Sequence, residues 1–247
     1  MELRCNNLPN LEGISEFVRA VKRALFPGFF DKEGDPAALE EAKRLFEEYI
    51  CDIPENKETF FAALPKISES LKKDLQFAFD SDPACDSLEE IVYAYPGFSA
   101  ILSYRIAHEI YAFGNKVAAR VVSELAHSQT GIDINPGATI GSPFFIDHGT
   151  GIVIGETAVV GRYVKLYQGV TLGALTLSQG HALRGKKRHP TIGNYVTIYS
   201  GASILGDVNI GDNVVIGSNV FLMKSIEANH RVVIPAPELE IREKGGK

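Results

Sequence analysis

What the 247-residue sequence lacks narrows it first. No apolar run approaches the roughly 18 residues of a membrane span. No hydrophobic segment follows the charged Glu2 and Arg4, so neither a span nor a secretory signal is read. Positive charge is scarce: 25 Lys and Arg stand against 31 Asp and Glu, a formal net charge of −6. A phosphate backbone demands a broad basic face, so a nucleic-acid partner is excluded. Cysteine is limited to Cys5, Cys51 and Cys85, which have no metal-ligand or redox spacing and leave one unpaired in any disulfide scheme. Such usage fits a reducing compartment, and a cytoplasmic protein is the expectation.

What is present divides into two halves. Up to about residue 127 apolar residues recur at helical intervals. Asp35 and Pro36 supply a cap and a first-turn proline before 37–50, where Leu39, Ala42, Leu45, Phe46 and Tyr49 share a face. A second helix is read in 60–80, with Pro65 as a break or kink. Ser81-Asp82-Pro83 marks a boundary, and 98–114 and 115–128 form a helical pair around Gly114.

From Ile134 the count changes to six. Aliphatic residues fall at Ile134, Ile140 and Ile146, then after a two-residue phase slip at Ile154, Val160, Leu166 and Leu172. After an insertion the count resumes at Ile192 and holds to Leu222. Small or aliphatic residues sit four positions later, with Phe144 the bulky exception, and glycine often follows the aliphatic, where a turn needs a permissive backbone. A six-residue period suits neither a helix nor a hairpin meander. It suits a parallel β-helix in which three short strands and three corners make one coil.

This repeat resembles that of the hexapeptide-repeat acyltransferases, and within them the serine O-acetyltransferase family. The matching segments are SDPACD at 81–86, GIDINPGATIG at 131–141, IDHGTGIVIGETAVVG at 146–161, LYQGVTLGA at 166–174 and RHPTIG at 188–193. The resemblance implies an α+β protein: a helical domain over 1–127 serving oligomerisation and part of the acceptor site, a left-handed parallel β-helix over 128–227 with a protruding loop at 173–190, and a tail over 228–247. It also implies acetyl-CoA as cosubstrate, L-serine as acceptor and a role in cysteine biosynthesis.

Acyl transfer to a hydroxyl needs a base within reach of its proton. His148 is the candidate, because a neutral imidazole is available near pH 7 and a carboxylate on its other nitrogen would fix its tautomer. Asp133 lies fifteen residues upstream, close to one coil of three hexads, and is read as that orienting carboxylate. Neighbouring Asp147 is not needed for this, since adjacent side chains on extended backbone point apart. The resemblance assigns His148 and Asp133 the same roles. An amino-acid acceptor presents an ammonium and a carboxylate, so groups of both charges are required. Asp82, Asp86 and Asp147 could supply one sign, Arg188 and His189 the other. The resemblance implies that Asp82 and Asp147 hold the amino end, that Asp86 lies in the same pocket and that Arg188 and His189 hold the carboxylate. His108 and His127 read as packing or capping residues, and His230 has no role.

Arg184, Lys186, Lys187 and Arg188 in the inserted loop are candidates for coenzyme phosphates, with a solvated basic loop as the alternative for the first three. The resemblance places the pantetheine arm against Gly173, Ala174, Ser200, Gly201 and Ala202, in a groove between subunits. It implies trimers or dimers of trimers and inhibition by cysteine. The loop departs from the family's commoner glycine-rich form, in which an acid stands where Lys187 is here. The family's docking of a tail ending in isoleucine into O-acetylserine sulfhydrylase is in doubt for a sequence that ends REKGGK. No nucleophilic cysteine or serine arrangement stands beside His148, so direct attack without a covalent enzyme intermediate is expected. No metal is expected either, because His148, His181 and His189 lack a persuasive ligand spacing. The remaining alternatives are transfer to another small hydroxyl acceptor and a noncatalytic scaffold for cysteine-synthesis enzymes.

Overall fold

The computed structural model describes residues 10–29, 37–176, 180–236, 238 and 240. Cys5, the Asp35-Pro36 cap, three positions of the inserted loop and nine of the twenty tail positions lie outside them. The described part opens with six helices: α1 (Leu11–Leu25), α2 (Ala38–Leu45), α3 (Pro54–Ser81), α4 (Leu88–Ala94), α5 (Pro96–Ala112) and α6 (Lys116–Thr130). Helix α2 runs into a π turn over Phe46–Ile50. Of the break or kink expected at Pro65, the break does not occur, since α3 continues through it. Cys51 ends the π turn and is disulfide-bonded, so the expectation of reduced thiols does not hold there; Cys85 is free. Among the described residues no helix is long and apolar enough to cross a membrane. Helix α6 closes at Gly131, whose φ of 70° suits a residue without a side chain. The helical half thus runs three residues past the expected boundary.

The rest is a parallel β-helix. Its first coil comprises β1 (Asp133–Ile134), β2 (Thr139–Ile140) and β3 (Phe144–Asp147), and the second β4 (Val153–Ile154), β5 (Val159–Val160) and β6 (Val164–Tyr167). The third holds β7 (Thr171–Gly173), β8 (Thr191–Ile192) and β9 (Thr197–Ile198), and the fourth β10 (Ser203–Leu205), β11 (Asn209–Ile210) and β12 (Val215–Ile216). β13 (Phe221–Leu222) and β14 (Arg231–Val232) begin a fifth, which carries the β-helix past residue 227 into the expected tail. Equivalent strands stack into three parallel sheets, ordered β1-β4-β7-β10-β13, β2-β5-β8-β11 and β3-β6-β9-β12-β14. The repeated aliphatics from Ile134 to Leu222 are all buried and fill the axis.

The glycines that follow those aliphatics serve another purpose than expected. Gly141, Gly155, Gly161, Gly193, Gly211 and Gly217 are absent from the positive-φ positions. Instead they give coils room to stack: a Cβ on Gly141 would meet the carbonyl oxygen of Gly161 at 2.8 Å, and one on Gly211 the amide nitrogen of Ala228 at 2.5 Å. Many of the left-handed corners are taken by larger residues, among them His148, Tyr163, Tyr195 and Asn213.

A polar joint fixes the helical half to the first coil. Asp74 of α3, 1% exposed, accepts from Arg105 Nε at 2.7 Å, Ser142 Oγ at 2.9 Å and Phe144 N at 2.9 Å. Arg105 also donates to the Gly141 carbonyl at 3.1 Å, while Tyr104 donates to the Ala138 carbonyl and accepts from Ile140 N. Buried polar groups are thereby satisfied, and the end of α3 is set beside β3.

Candidate active site

The first constellation forms around the corner between β3 and β4. The two-residue phase slip falls here, and the extra length carries His148 outward, with its side chain 72% exposed. Its φ is 55°, the left-handed conformation that recurs at other corners of the coils. Asp147 ends β3, and its Oδ1 lies 3.8 Å from His148 Nε2, beyond hydrogen-bond length. The expectation that these neighbours point apart fails, because the left-handed turn at His148 interrupts the extended backbone. Asp133 opens β1 on the same corner, one coil earlier. Its carboxylate lies 3.9 Å from the Arg120 guanidinium, while the carboxylate described near His148 is that of Asp147.

Asp82 caps the C-terminus of α3. Tyr95 Oη donates to its Oδ2 at 2.6 Å and Ala84 N to its Oδ1 at 2.9 Å. These bonds, the tyrosine's foremost, hold the Asp82 carboxyl below the usual range, and the nearby His148 adds to the effect. Tyr167 stands beside Asp147 in the sheet register and stacks on Tyr199 with ring centroids 5.1 Å apart. Burial raises its phenol, and the charges of Asp147 and Asp82 contribute. Asp82, Asp147 and His148 are therefore brought together. Asp86 is exposed on the same loop; its backbone N–H donates to Glu90, while its carboxylate has no described partner.

A second constellation occupies the next corner, between the β4 and β5 sheets. Arg188 pairs with Glu156, which also accepts from Tyr111 Oη at 3.0 Å. Both contacts, Arg188 first, hold the Glu156 carboxyl below its ordinary value. His189 is 7% exposed, and its Nδ1 accepts from Thr157 N at 3.0 Å. Thr157 Oγ1 accepts from the backbone N–H groups of both Arg188 and His189, at 3.0 and 3.1 Å. A backbone N–H can only donate, so His189 carries its proton on Nε2. Burial, then the charges of Arg188 and Lys187, push its imidazole down to about 4. It is a neutral N–H donor at neutral pH.

The proposed coenzyme residues are partly spoken for. Lys187 Nζ donates to the carbonyls of Thr157 at 2.6 Å and Pro190 at 3.3 Å, which makes it a clip at the root of the loop. Lys186 is exposed on the segment after a 3₁₀ turn over Gly180–Leu183. Gly173 pairs with Leu205, and Ala174 follows it, half-buried. Gly201 N and Ala202 N donate to the carbonyls of Gln168 and Tyr199, and Ser200 Oγ donates to Ser218 Oγ. The N–H groups of 201 and 202 are thus used by the coil itself. Among the described residues, the converging group of metal-ligating type is Glu124, His127 and Asp133. Arg120 reaches both of its carboxylates, which puts a protein cation there. His108 Nδ1 meets the Pro136 carbonyl at 2.8 Å, as a packing residue would.

Sequence reasoning passed over Tyr95, Glu156, Thr157 and Tyr167. Glu156 and Thr157 lie inside a quoted segment but face away from His148, and Tyr95 lies outside every quoted segment.

The fold, a helical domain before a parallel β-helix of six-residue repeats, is that of the hexapeptide-repeat class. Residues 189–224 match the family model described as bacterial transferase hexapeptide (six repeats), and residues 42–103 match that for the serine acetyltransferase N-terminal region. A serine acetyltransferase from Staphylococcus aureus is 44% identical over 163 residues, 66% of this chain and 74% of that protein. A plasmid-encoded one from Synechococcus elongatus is 48% identical over 174 residues, 69% of this chain and 54% of its own length. The crystal structure of serine acetyltransferase isoform 3 from Entamoeba histolytica, in complex with cysteine, superposes with a TM-score of 0.82 at 36% identity, covering 93% of this chain and 84% of that one. The enzyme from Neisseria gonorrhoeae in complex with serine gives 0.68 at 30% identity, covering 94% and 85%. The chain belongs to the serine acetyltransferase family, and its β-helix is of the left-handed hexapeptide type.

Proposed function

We propose that this protein transfers the acetyl group of acetyl-CoA to the hydroxyl of L-serine, giving O-acetyl-L-serine and CoA. The observation that carries this reading is the corner at which an exposed imidazole, His148, stands among the carboxylates of Asp82 and Asp147. His148 takes the proton as the serine oxygen attacks the thioester carbonyl. When the C–S bond breaks, the imidazolium returns that proton to the departing thiolate. Asp133 orients the imidazole from the neighbouring coil. Asp82 and Asp147 receive the acceptor's ammonium, with Asp86 at the edge of the pocket.

Arg188 and His189 receive the acceptor's carboxylate. In one protomer they occupy a different corner of the coil from His148, so the complete site is assembled where His148 of one protomer meets Arg188 and His189 of the next. A trimer provides such a junction three times. Lys186 meets coenzyme phosphate, and the thioester arm lies along Gly173, Ala174 and the 200–202 corner, with Lys187 holding the loop in place. The bound cysteine and serine of the E. histolytica and N. gonorrhoeae relatives support an amino-acid pocket of this kind.

The test is His148→Ala with acetyl-CoA and L-serine. Turnover should fall at least about 100-fold with coenzyme affinity largely kept. Unchanged turnover per bound complex would remove His148 from the chemistry.

A further inference from the structure

Asp82 stands on a loop end, in a helical element separate from the β-helix that carries Asp147 and His148. Something must fix it relative to them, and Tyr95 is placed to do so. Its backbone is pinned on both sides: its N–H donates to the Ile91 carbonyl of α4, and its own carbonyl accepts from Ser99 N in α5. Two residues on, Gly97 lies so close to β3 that a Cβ there would meet the Ile146 carbonyl oxygen at 2.2 Å. The start of α5 is therefore seated on the residue preceding Asp147. From that seat the Tyr95 hydroxyl reaches Asp82 Oδ2 at 2.6 Å, while the Ala84 N–H occupies Oδ1.

We propose that Tyr95 is a positioning residue for acceptor binding: through its hydroxyl it holds the Asp82 carboxylate, ionised and aimed, at a fixed place beside Asp147 and His148. This rests on the assignment of Asp82 to the acceptor's ammonium. The same bond favours the ionised form of the half-buried Asp82, since a hydroxyl donates more strongly to a charged carboxylate oxygen than to a neutral carboxyl. Tyr95 touches no reacting atom in this scheme, so its effect belongs in serine affinity and not in the chemical step.

The test compares Tyr95→Phe, Asp82→Asn and the double variant, with thermal midpoints as a check on folding. Tyr95→Phe keeps the ring and removes one strong hydrogen bond. It should raise KM for L-serine about tenfold, leave kcat and KM for acetyl-CoA within about twofold, and move the acid limb of kcat/KM for serine to higher pH. The double variant should be no worse than Asp82→Asn alone. An unchanged serine KM and acid limb in Tyr95→Phe, with Asp82→Asn impaired, would overturn the positioning role. A parallel loss of kcat, coenzyme affinity and thermal stability would also overturn it, as a merely structural effect. Unimpaired serine use by Asp82→Asn would instead overturn the acceptor-site assignment on which it rests.

Discussion

The Cδ2–Nε2 edge of His189 lies over Gly155 so closely that a Cβ on that glycine would meet it at 2.1 Å. Gly155 is absent from the positive-φ positions, so space and not conformation requires glycine there. Gly155→Ala should push the imidazole off its Thr157 contacts and raise KM for serine at least about tenfold, with a stability loss of about 1–3 kcal/mol from overpacking. Kinetics together with denaturant unfolding would check both effects. A variant with wild-type serine affinity would detach His189 from acceptor binding.

The neutral His189 sets a pH dependence. Its folded-state value of about 4 lies below the value of about 6.5 for an unperturbed histidine, so between these limits the unfolded chain binds the extra proton. Its contribution to stability is fully present above pH about 6.5 and is lost as the pH falls toward about 4. Thermal midpoints measured from pH 7 to 4 should therefore drop more steeply for the wild type than for His189→Gln. Parallel curves would show that His189 is not held neutral.

Asp74 and Arg105 form a joint whose members cannot be removed singly without leaving a buried charge. Asp74→Ala should destabilise the fold by about 3–5 kcal/mol, whereas Asp74→Leu combined with Arg105→Met should cost distinctly less. Urea unfolding of the three proteins decides this. Equal losses in the single and double variants would mean that the pair's partners on the first coil, and not the pair itself, carry the energy.

The carboxylates near His148 are separable by kinetics. Asp133→Asn should lower kcat with little change in the serine KM, and Asp147→Asn should mainly raise that KM. The opposite pattern would exchange their roles and make the 3.8 Å approach of Asp147 the precursor of the catalytic contact.

Most of the β-helix was legible because a coil axis is filled chiefly by aliphatic side chains, and the six-residue count records each strand that points inward. The two breaks in that count are also the two places where the proposed site residues gather: the slip at 147–150 carries His148, and the insertion after Gly173 ends at Arg188 and His189. The partnerships were not legible. Nothing local told that a left-handed residue would bring Asp147 toward His148, that Arg120 would face Asp133, or that Lys187 would clip its own loop. Tyr95 and Thr157 act on residues 13 and 32 positions away, through contacts that exist only once helices and coils have packed. At Pro65 the helix does not break, because α3 has enough packing along its length to absorb one missing hydrogen bond.

The most direct measurement is thiol release from acetyl-CoA with L-serine, run beside L-homoserine and a galactoside and coupled to mass detection of the product. Formation of O-acetyl-L-serine by the wild-type protein, reduced at least about 100-fold in His148→Ala, is the expected result. Acetylation of a different acceptor in preference to serine, or no acetylated product at all, would contradict it.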